Sequence, residues 1–284
     1  MSDFVLEVSG LCKRYPGFTL DHVGFTLKQG SVMGLVGRNG AGKSTTLNSL
    51  LDFVHPEEGK VRFFGNPLSG EKERIGFVSG GVDYYPRKKL QSITAVTKRF
   101  YKEWDDTAYQ NYLRLFALDE RKTPAQLSAG MKVKYSLALA LSHRATLLIL
   151  DEPTSGLDPV SRQELLDIFL ELSRKKGVSI LFSTHITSDL EKCADDITYI
   201  QNGKVPYSGE IKAFLAQYQL IRHSGENRPA VPDGLIGLKR EKEGWAALLP
   251  AGVPAPAGWE SFPADLDTIM VHLEHHDHRE EALV

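Results

Sequence analysis

The stretch GRNGAGKST (37–45) follows the apolar run SVMGLVG (31–37) and has the spacing G-x-x-x-x-G-K-[ST]. Gly37, Arg38, Asn39, Gly40, Ala41 and Gly42 make a loop whose backbone N–H groups can curl around phosphate oxygens, because glycine removes the Cβ that would block them. Lys43 brings a point charge to the outer phosphates, Ser44 a hydroxyl for Mg²⁺, and Thr45 continues into a helix whose positive end faces the anion. At average glycine usage a chance match has odds of about one per cent in a chain of this length, and this one sits between a strand pattern and a helix pattern, as phosphate binding requires. A second group lies in LLILDEP (147–153). There Asp151 ends a buried strand, where a carboxylate can hold a water of a Mg²⁺ shell, and Glu152 follows where it can polarise an attacking water. Two solvated acids at a strand end are the plain alternative. His185, just past SILFST, is placed to reach a γ-phosphate, although a single histidine is more often structural.

These groups need elements that bring them together. The runs 31–37, 146–151 and 178–184 are continuously apolar, the pattern of central strands covered on both faces. Helical spacing follows the first run (Leu47, Leu50, Leu51, Val54) and recurs over 160–175, so the strands belong to a parallel sheet with crossover helices. The ligand crevice of such a sheet lies beyond the carboxyl ends of its strands, where Gly37, Asp151 and His185 all fall. Short strands are expected at 4–8, 20–27, 61–65 and 75–79, and the pattern is helical from about 86 to 145. After about residue 215 the composition shifts. A linker-like HSGENRPAVPDG precedes a hairpin turning near Glu243–Gly244, and a helix places Leu266, Ile269, Met270 and Leu273 on one face.

The composition narrows the function. The chain has 284 residues, 42% of them hydrophobic, and a net charge of −2, which gives no general attraction to nucleic acid or acidic membranes. Its two cysteines, Cys12 and Cys193, have no metal-like spacing and read as free cytosolic thiols. The start MSDFVLEVSG lacks the features of a signal peptide, and no run approaches the ~20 apolar residues of a membrane span. Action at a membrane therefore calls for a second chain. The histidines of HLEHHDH (272–278) suggest a metal site, but on a fraying tail they are expected to be solvated.

One segment remains, LSAGM (127–131), which opens a helix with a serine. Taken alone it is an ordinary N-cap. Taken with GRNGAGKST, LLILDEP, SGLD (155–158) and FSTH (182–185), it makes residues 4–210 resemble the ATP-binding-cassette (ABC) ATPases. The resemblance implies an α/β fold: a P-loop core with a mixed, largely parallel sheet, an antiparallel β subdomain, a helical subdomain at about 86–145, and a small α+β extension. Domains at 1–215 and 216–284 follow. It also implies ATP and Mg²⁺ as ligands, with Ser44 and Asp151 on the metal and Glu152 and His185 catalytic. Tyr15 would stack on adenine, and Ser155, Gly156, Leu157 and Asp158 match the D-loop. In this family two cassettes pack head to tail, so Ser128, Ala129 and Gly130 would face the γ-phosphate held by a partner's Lys43.

Two departures stand out. The family glutamine after IGFVS is absent, with Gly80 nearest its position and Asp83 a candidate substitute. Ala129 and Met131 replace the commoner glycine and glutamine of the signature. The segment FYKEWD (100–105) and the tail resemble a bacterial subgroup linked to export of, or resistance to, antimicrobial peptides and toxins. The implied function is ATP hydrolysis that energises a separate membrane permease, with a second cassette as partner, at the inner face of the cell membrane. A soluble ABC ATPase and a nucleotide-switched sensor remain as alternatives.

Overall fold

The computed structural model describes residues 3–79, 85–225, 227–229 and 234–281, with side chains as far as residue 274. The chain divides into two compact units, Met1–Ser208 and Gly209–Val284.

The first unit opens with β1 (Phe4–Tyr15), β2 (Phe18–Lys28), β3 (Val32–Val36), α1 (Lys43–Leu50), β4 (Glu58–Phe63), α2 (Leu68–Glu71) and β5 (Ile75–Ser79). The helices α3 (Leu90–Thr97), α4 (Asp106–Leu115) and α5 (Ala129–Ser142) come next. An alternation then follows of β6 (Leu147–Asp151), α6 (Pro159–Lys176), β7 (Ser179–Thr184), α7 (Thr187–Cys193), β8 (Asp196–Gln201) and β9 (Lys204–Glu210). One sheet has the order β5-β6-β7-β3-β8-β9 and the other β2-β1-β4. Pairing is parallel from β5 to β8, with Val36 opposite Thr184 and Ser79 opposite Asp151. The carboxyl ends of β3, β5, β6 and β7 therefore finish on one edge.

Burial explains why these segments are strands. Every residue of β3 and β7, and Leu147 to Leu150 of β6, is buried, as covered parallel strands require. The first strand is far longer than the expected 4–8. It carries the chain through Gly10 to Tyr15, and shifts in its register with β2 absorb the irregular residues. Asn202 and Gly203, both at positive φ, make the tight turn from β8 to β9.

The helical segment is tied together by hydroxyls. Thr94 Oγ1 lies 2.7 Å from Tyr109 Oη and 2.8 Å from Tyr135 Oη, and Tyr135 Oη donates to Leu90 O at 3.1 Å. One buried cluster thus joins α3, α4 and α5, and burial pushes the Tyr109 phenol far up.

The second unit contains α8 (Ile211–Leu215), β10 (Tyr218–His223), β11 (Ile236–Glu241), β12 (Gly244–Pro250), β13 (Glu260–Pro263) and α9 (Leu266–Glu281). The hairpin of β11 and β12 closes with Glu241 opposite Gly244, near the expected turn. The sheet order β11-β12-β10-β13 adds two strands that the sequence pattern does not announce. Its core includes Ile221, Leu238, Ala247, Leu249 and Trp259. His272, expected to be solvated, is instead 3% exposed and its Nδ1 lies 2.6 Å from Gly237 O. It lies inside α9, one turn past Ile269, so the helix turns it toward the sheet. The side chains of His275, His276 and His278 lie outside the described residues.

Candidate nucleotide site

The phosphate-loop candidate joins β3 to α1. Gly42 precedes the helix at φ 115, a conformation that L side chains rarely adopt, and a Cβ there would meet Phe18 Cζ at 2.9 Å. At Gly37 a Cβ would collide with Ile200 O. The loop is therefore tight because two of its glycines cannot be replaced. Lys43 is 6% exposed, and its ammonium donates to Gly37 O at 2.8 Å and Arg38 O at 3.2 Å. Fixed in this way, it holds its charge in the mouth of the loop.

The carboxylates arrive from β6. Ser44 Oγ donates to Asp151 Oδ1 at 3.2 Å, linking the first helical turn to the strand end. Glu152 stands at φ 49, a left-handed conformation uncommon outside glycine, where the chain turns out of the sheet. Its N–H donates to Ser183 Oγ at 2.9 Å, and Ser183 Oγ donates to Asp151 Oδ1 at 2.6 Å. The carboxylate of Glu152 is shared, with Oε1 3.4 Å from Lys43 Nζ and Oε2 2.8 Å from His185 Nδ1. A continuous polar chain thus runs from His185 through Glu152 to Lys43, and a second from Ser44 through Asp151 and Ser183 back to Glu152.

These groups border a cavity of about 360 Å³, lined among others by Asn39, Gly40, Lys43, Thr45, Ser155 and His185. Its walls carry backbone N–H donors, an ammonium and an imidazole, the chemistry of a polyphosphate cradle. The Ser44 hydroxyl paired with the Asp151 carboxylate is an all-oxygen set that suits Mg²⁺.

Several expected residues stand apart from this cavity. Tyr15, 40% exposed, ends β1 beside Lys13, whose Nζ is 5.9 Å from its ring centroid. The aromatic that lines the cavity is its strand partner Phe18. Ser128 caps α5 by accepting from Met131 N–H at 3.2 Å. Its hydroxyl hydrogen stays available to a phosphate oxygen, since a hydroxyl both donates and accepts. Gly130 is buried, and a Cβ there would sit 3.8 Å from Leu157 Cδ2 and 3.5 Å from Ser161 Cβ. Asp158 caps α6 by accepting from Val160 and Ser161 N–H, and the hydrogen bonds from Ser161 hold its carboxyl below the usual range. Gly80 and Asp83, the positions around the missing glutamine, lie outside the described residues.

Sequence reasoning missed Ser183 and Phe18. Ser183 had a signal, as a hydroxyl near the end of an apolar strand two residues before His185. Phe18 had none, because only the fold of the β1–β2 hairpin carries it to the loop.

Comparison with known proteins agrees with this geometry. Residues 20–155 match the family model described as ABC transporter. A bacitracin transport ATP-binding protein of Bacillus licheniformis is 31% identical over 80% of this chain and 78% of its own. An uncharacterized ABC transporter ATP-binding protein of Bacillus subtilis is 32% identical over 85% of this chain and 79% of its own. Among solved structures, cbiO1 of Clostridium perfringens, described as part of the ABC transporter complex cbiONQ, superposes with a TM-score of 0.66 at 26% identity, covering 76% of this chain and 92% of that one. With its phosphate cradle, paired carboxylates and histidine on one sheet edge, the chain belongs to the ABC transporter family, as an ATP-binding and ATP-hydrolysing subunit.

Proposed function

We propose that this subunit works as one of two head-to-tail cassettes that drive a separate membrane-spanning partner, exporting a peptide or similar toxin. The observation that carries the catalytic half of this reading is the chain His185–Glu152–Lys43 at the edge of the phosphate loop. Glu152 is the base that takes a proton from the attacking water, and His185, held through Nδ1, orients that carboxylate and faces the γ-phosphate. Ser44 and Asp151 hold Mg²⁺, which supplies charge neutralisation on the phosphate oxygens. Lys43 and the loop N–H groups bind the phosphates, while Tyr15 and Phe18 flank the base side. The partner cassette's signature helix, from Ser128 to Gly130, completes the grip on the γ-phosphate. The D-loop, Ser155 to Asp158, connects the two halves.

The export reading draws on the bacitracin transport relative. The partner reading draws on an apolar cavity of about 700 Å³ beside α3, lined by Tyr85, Ile93, Val96, Phe100 and Tyr101. Phe100 is 76% exposed there, an unusual cost for a surface that meets only water. Among the described residues no helix is long and apolar enough to cross a membrane. The subunit then sits at the inner membrane face through that partner.

The test is Glu152→Gln. It keeps the shape and neutralises the base, so ATP binding is expected to persist while turnover falls by about 10²–10⁴-fold and the protein accumulates as an ATP-bound dimer. Turnover near the wild-type rate would remove Glu152 from the role of base. Copurification of an integral membrane chain from detergent extracts tests the partner, and recovery of ribosomes or DNA instead would refute it.

A further inference from the structure

The three-stranded sheet holds a second cluster of ligating side chains, one from each strand. Cys12 on β1, His22 on β2 and Glu58 on β4 each bring a ligand atom within 4.8 Å of the other two. Cys12 and Glu58 are register partners across β1 and β4. His22 enters from the other side, where the β1–β2 pairing is irregular between Leu11 and Lys13. There it takes a left-handed φ of 48 and donates its N–H to Cys12 Sγ at 3.3 Å. The thiol itself donates to Gly10 O at 3.5 Å, so backbone on two strands fixes the position of the sulfur. On the imidazole, Asp21 Oδ1 lies 2.6 Å from His22 Nδ1, so that ring nitrogen is engaged and Nε2 is the one turned away from the carboxylate's contact. A carboxylate behind a ligating histidine is the usual outer partner at zinc sites.

We propose that Cys12, His22 and Glu58 bind a borderline divalent cation of the zinc class, with the fourth position open to water. A mixed sulfur, nitrogen and oxygen set suits Zn²⁺ and its congeners, whereas Mg²⁺ and Ca²⁺ call for oxygen alone. Zn–S of ~2.3 Å and Zn–N of ~2.0 Å place neighbouring ligand atoms about 3.5 Å apart, so atoms that lie within 4.8 Å of one another need to close by no more than about 1.3 Å. The side chains of His22, 70% exposed, and Glu58, 56% exposed, can rotate to do this around the buried Cys12. Arg14 competes for Glu58 from 3.7 Å, as an exposed and therefore weak ion pair. On binding, the sulfur–metal bond forms and the thiol proton leaves to solvent. The same two strands continue to Tyr15 and Phe18, so the ion braces the hairpin that delivers Phe18 to the nucleotide cavity.

Titration of the full chain with Co²⁺, free of nucleotide and Mg²⁺, tests the assignment. The expected result is a saturable thiolate-to-cobalt charge-transfer band with tetrahedral ligand-field bands, displaced by Zn²⁺. The His-rich tail and the Ser44–Asp151 pair carry no sulfur and give no such band. Cys193→Ser retains the band, because burial pushes the Cys193 thiol up to about 12. Cys12→Ser and His22→Ala abolish or weaken it at least tenfold in apparent affinity. His22 is exposed, so that variant folds even if removing the buried thiol of Cys12 does not allow folding. Absence of the band in the wild-type chain, or a band unchanged by His22→Ala, overturns the proposal.

Discussion

Ser183→Ala tests whether the two carboxylates are held as one unit. The hydroxyl is fully buried, donates to Asp151 Oδ1 at 2.6 Å and accepts the Glu152 N–H at 2.9 Å. A hydrogen bond to a charged group contributes about 1.5–3 kcal/mol, and an orphaned buried N–H costs about 1–3 kcal/mol. The second figure falls on the folded state and should appear as a lower unfolding temperature. The first bears on turnover, because Asp151 and the left-handed backbone of Glu152 both lose the oxygen that positions them. If the whole 1.5–3 kcal/mol is expressed in the transition state, kcat falls by about tenfold to about a hundredfold. ATP affinity should change little, since Gly37 O and Arg38 O, which hold Lys43 in the loop, do not involve Ser183. Steady-state ATPase kinetics, equilibrium nucleotide binding and calorimetry on the same preparation separate these effects. A kcat within twofold of wild type in a variant that is measurably less stable would show that the relay braces the fold and does not position the carboxylates.

Two further outcomes follow from single contacts. Burial lowers the affinity of His143 for a proton below its ordinary 6.5, while its Nδ1 lies 2.9 Å from Glu73 O and its ring stacks on Tyr101 at 3.8 Å. A histidine buried neutral leaves stability intact above pH 6.5 and loses it as pH falls through the depressed folded value; in His143→Gln, chemical denaturation across this window should show a flatter pH slope than in the wild type. Gly237 stands at φ 63 with a would-be Cβ colliding with His272 O, so Gly237→Ala should cost more than about 2 kcal/mol, read as selective loss of protection in 209–284 by hydrogen exchange.

The site was legible where one residue type has one backbone use. Gly42 and Gly37 announce the phosphate loop because no other residue fits their φ and contacts, and Asp151 shows because it ends a run buried on both faces. The parallel core was legible for the same reason, from β3, β6 and β7. What escaped depends on pairing across strands. Phe18 reaches the cavity through its register with Tyr15, and Cys12 meets Glu58 through β1 and β4, neither of which leaves a local pattern. β10 and β13 escaped because Tyr218–His223 mixes polar and apolar positions and Glu260–Pro263 is exposed throughout. His272 looked like one of a solvated cluster, yet it sits on the face that Ile269 already marked as buried.

Within one chain, short contacts join the carboxyl end of β6 to the start of α5. Ser155 N–H donates to Glu152 O at 3.2 Å, and Leu157 N–H donates to Thr154 O at 3.3 Å, so residues 155–158, the proposed D-loop, leave the carboxylate as a run of tight turns. Leu157 is buried and, with Ser161 of α6, forms the wall against which Gly130 packs. Lys134 on α5 and Glu164 on α6 pair at 2.7 Å one turn further along. If Glu152 acts on the γ-phosphate as proposed, a shift of its backbone has a short packed route to the start of α5. If the signature helix of one cassette grips the triphosphate bound by its partner, hydrolysis at one site perturbs the hold on the other. Gly130 lies on that route, and a methyl group there meets Leu157 and Ser161 at ordinary van der Waals range, so Gly130→Ala alters the fit with little strain.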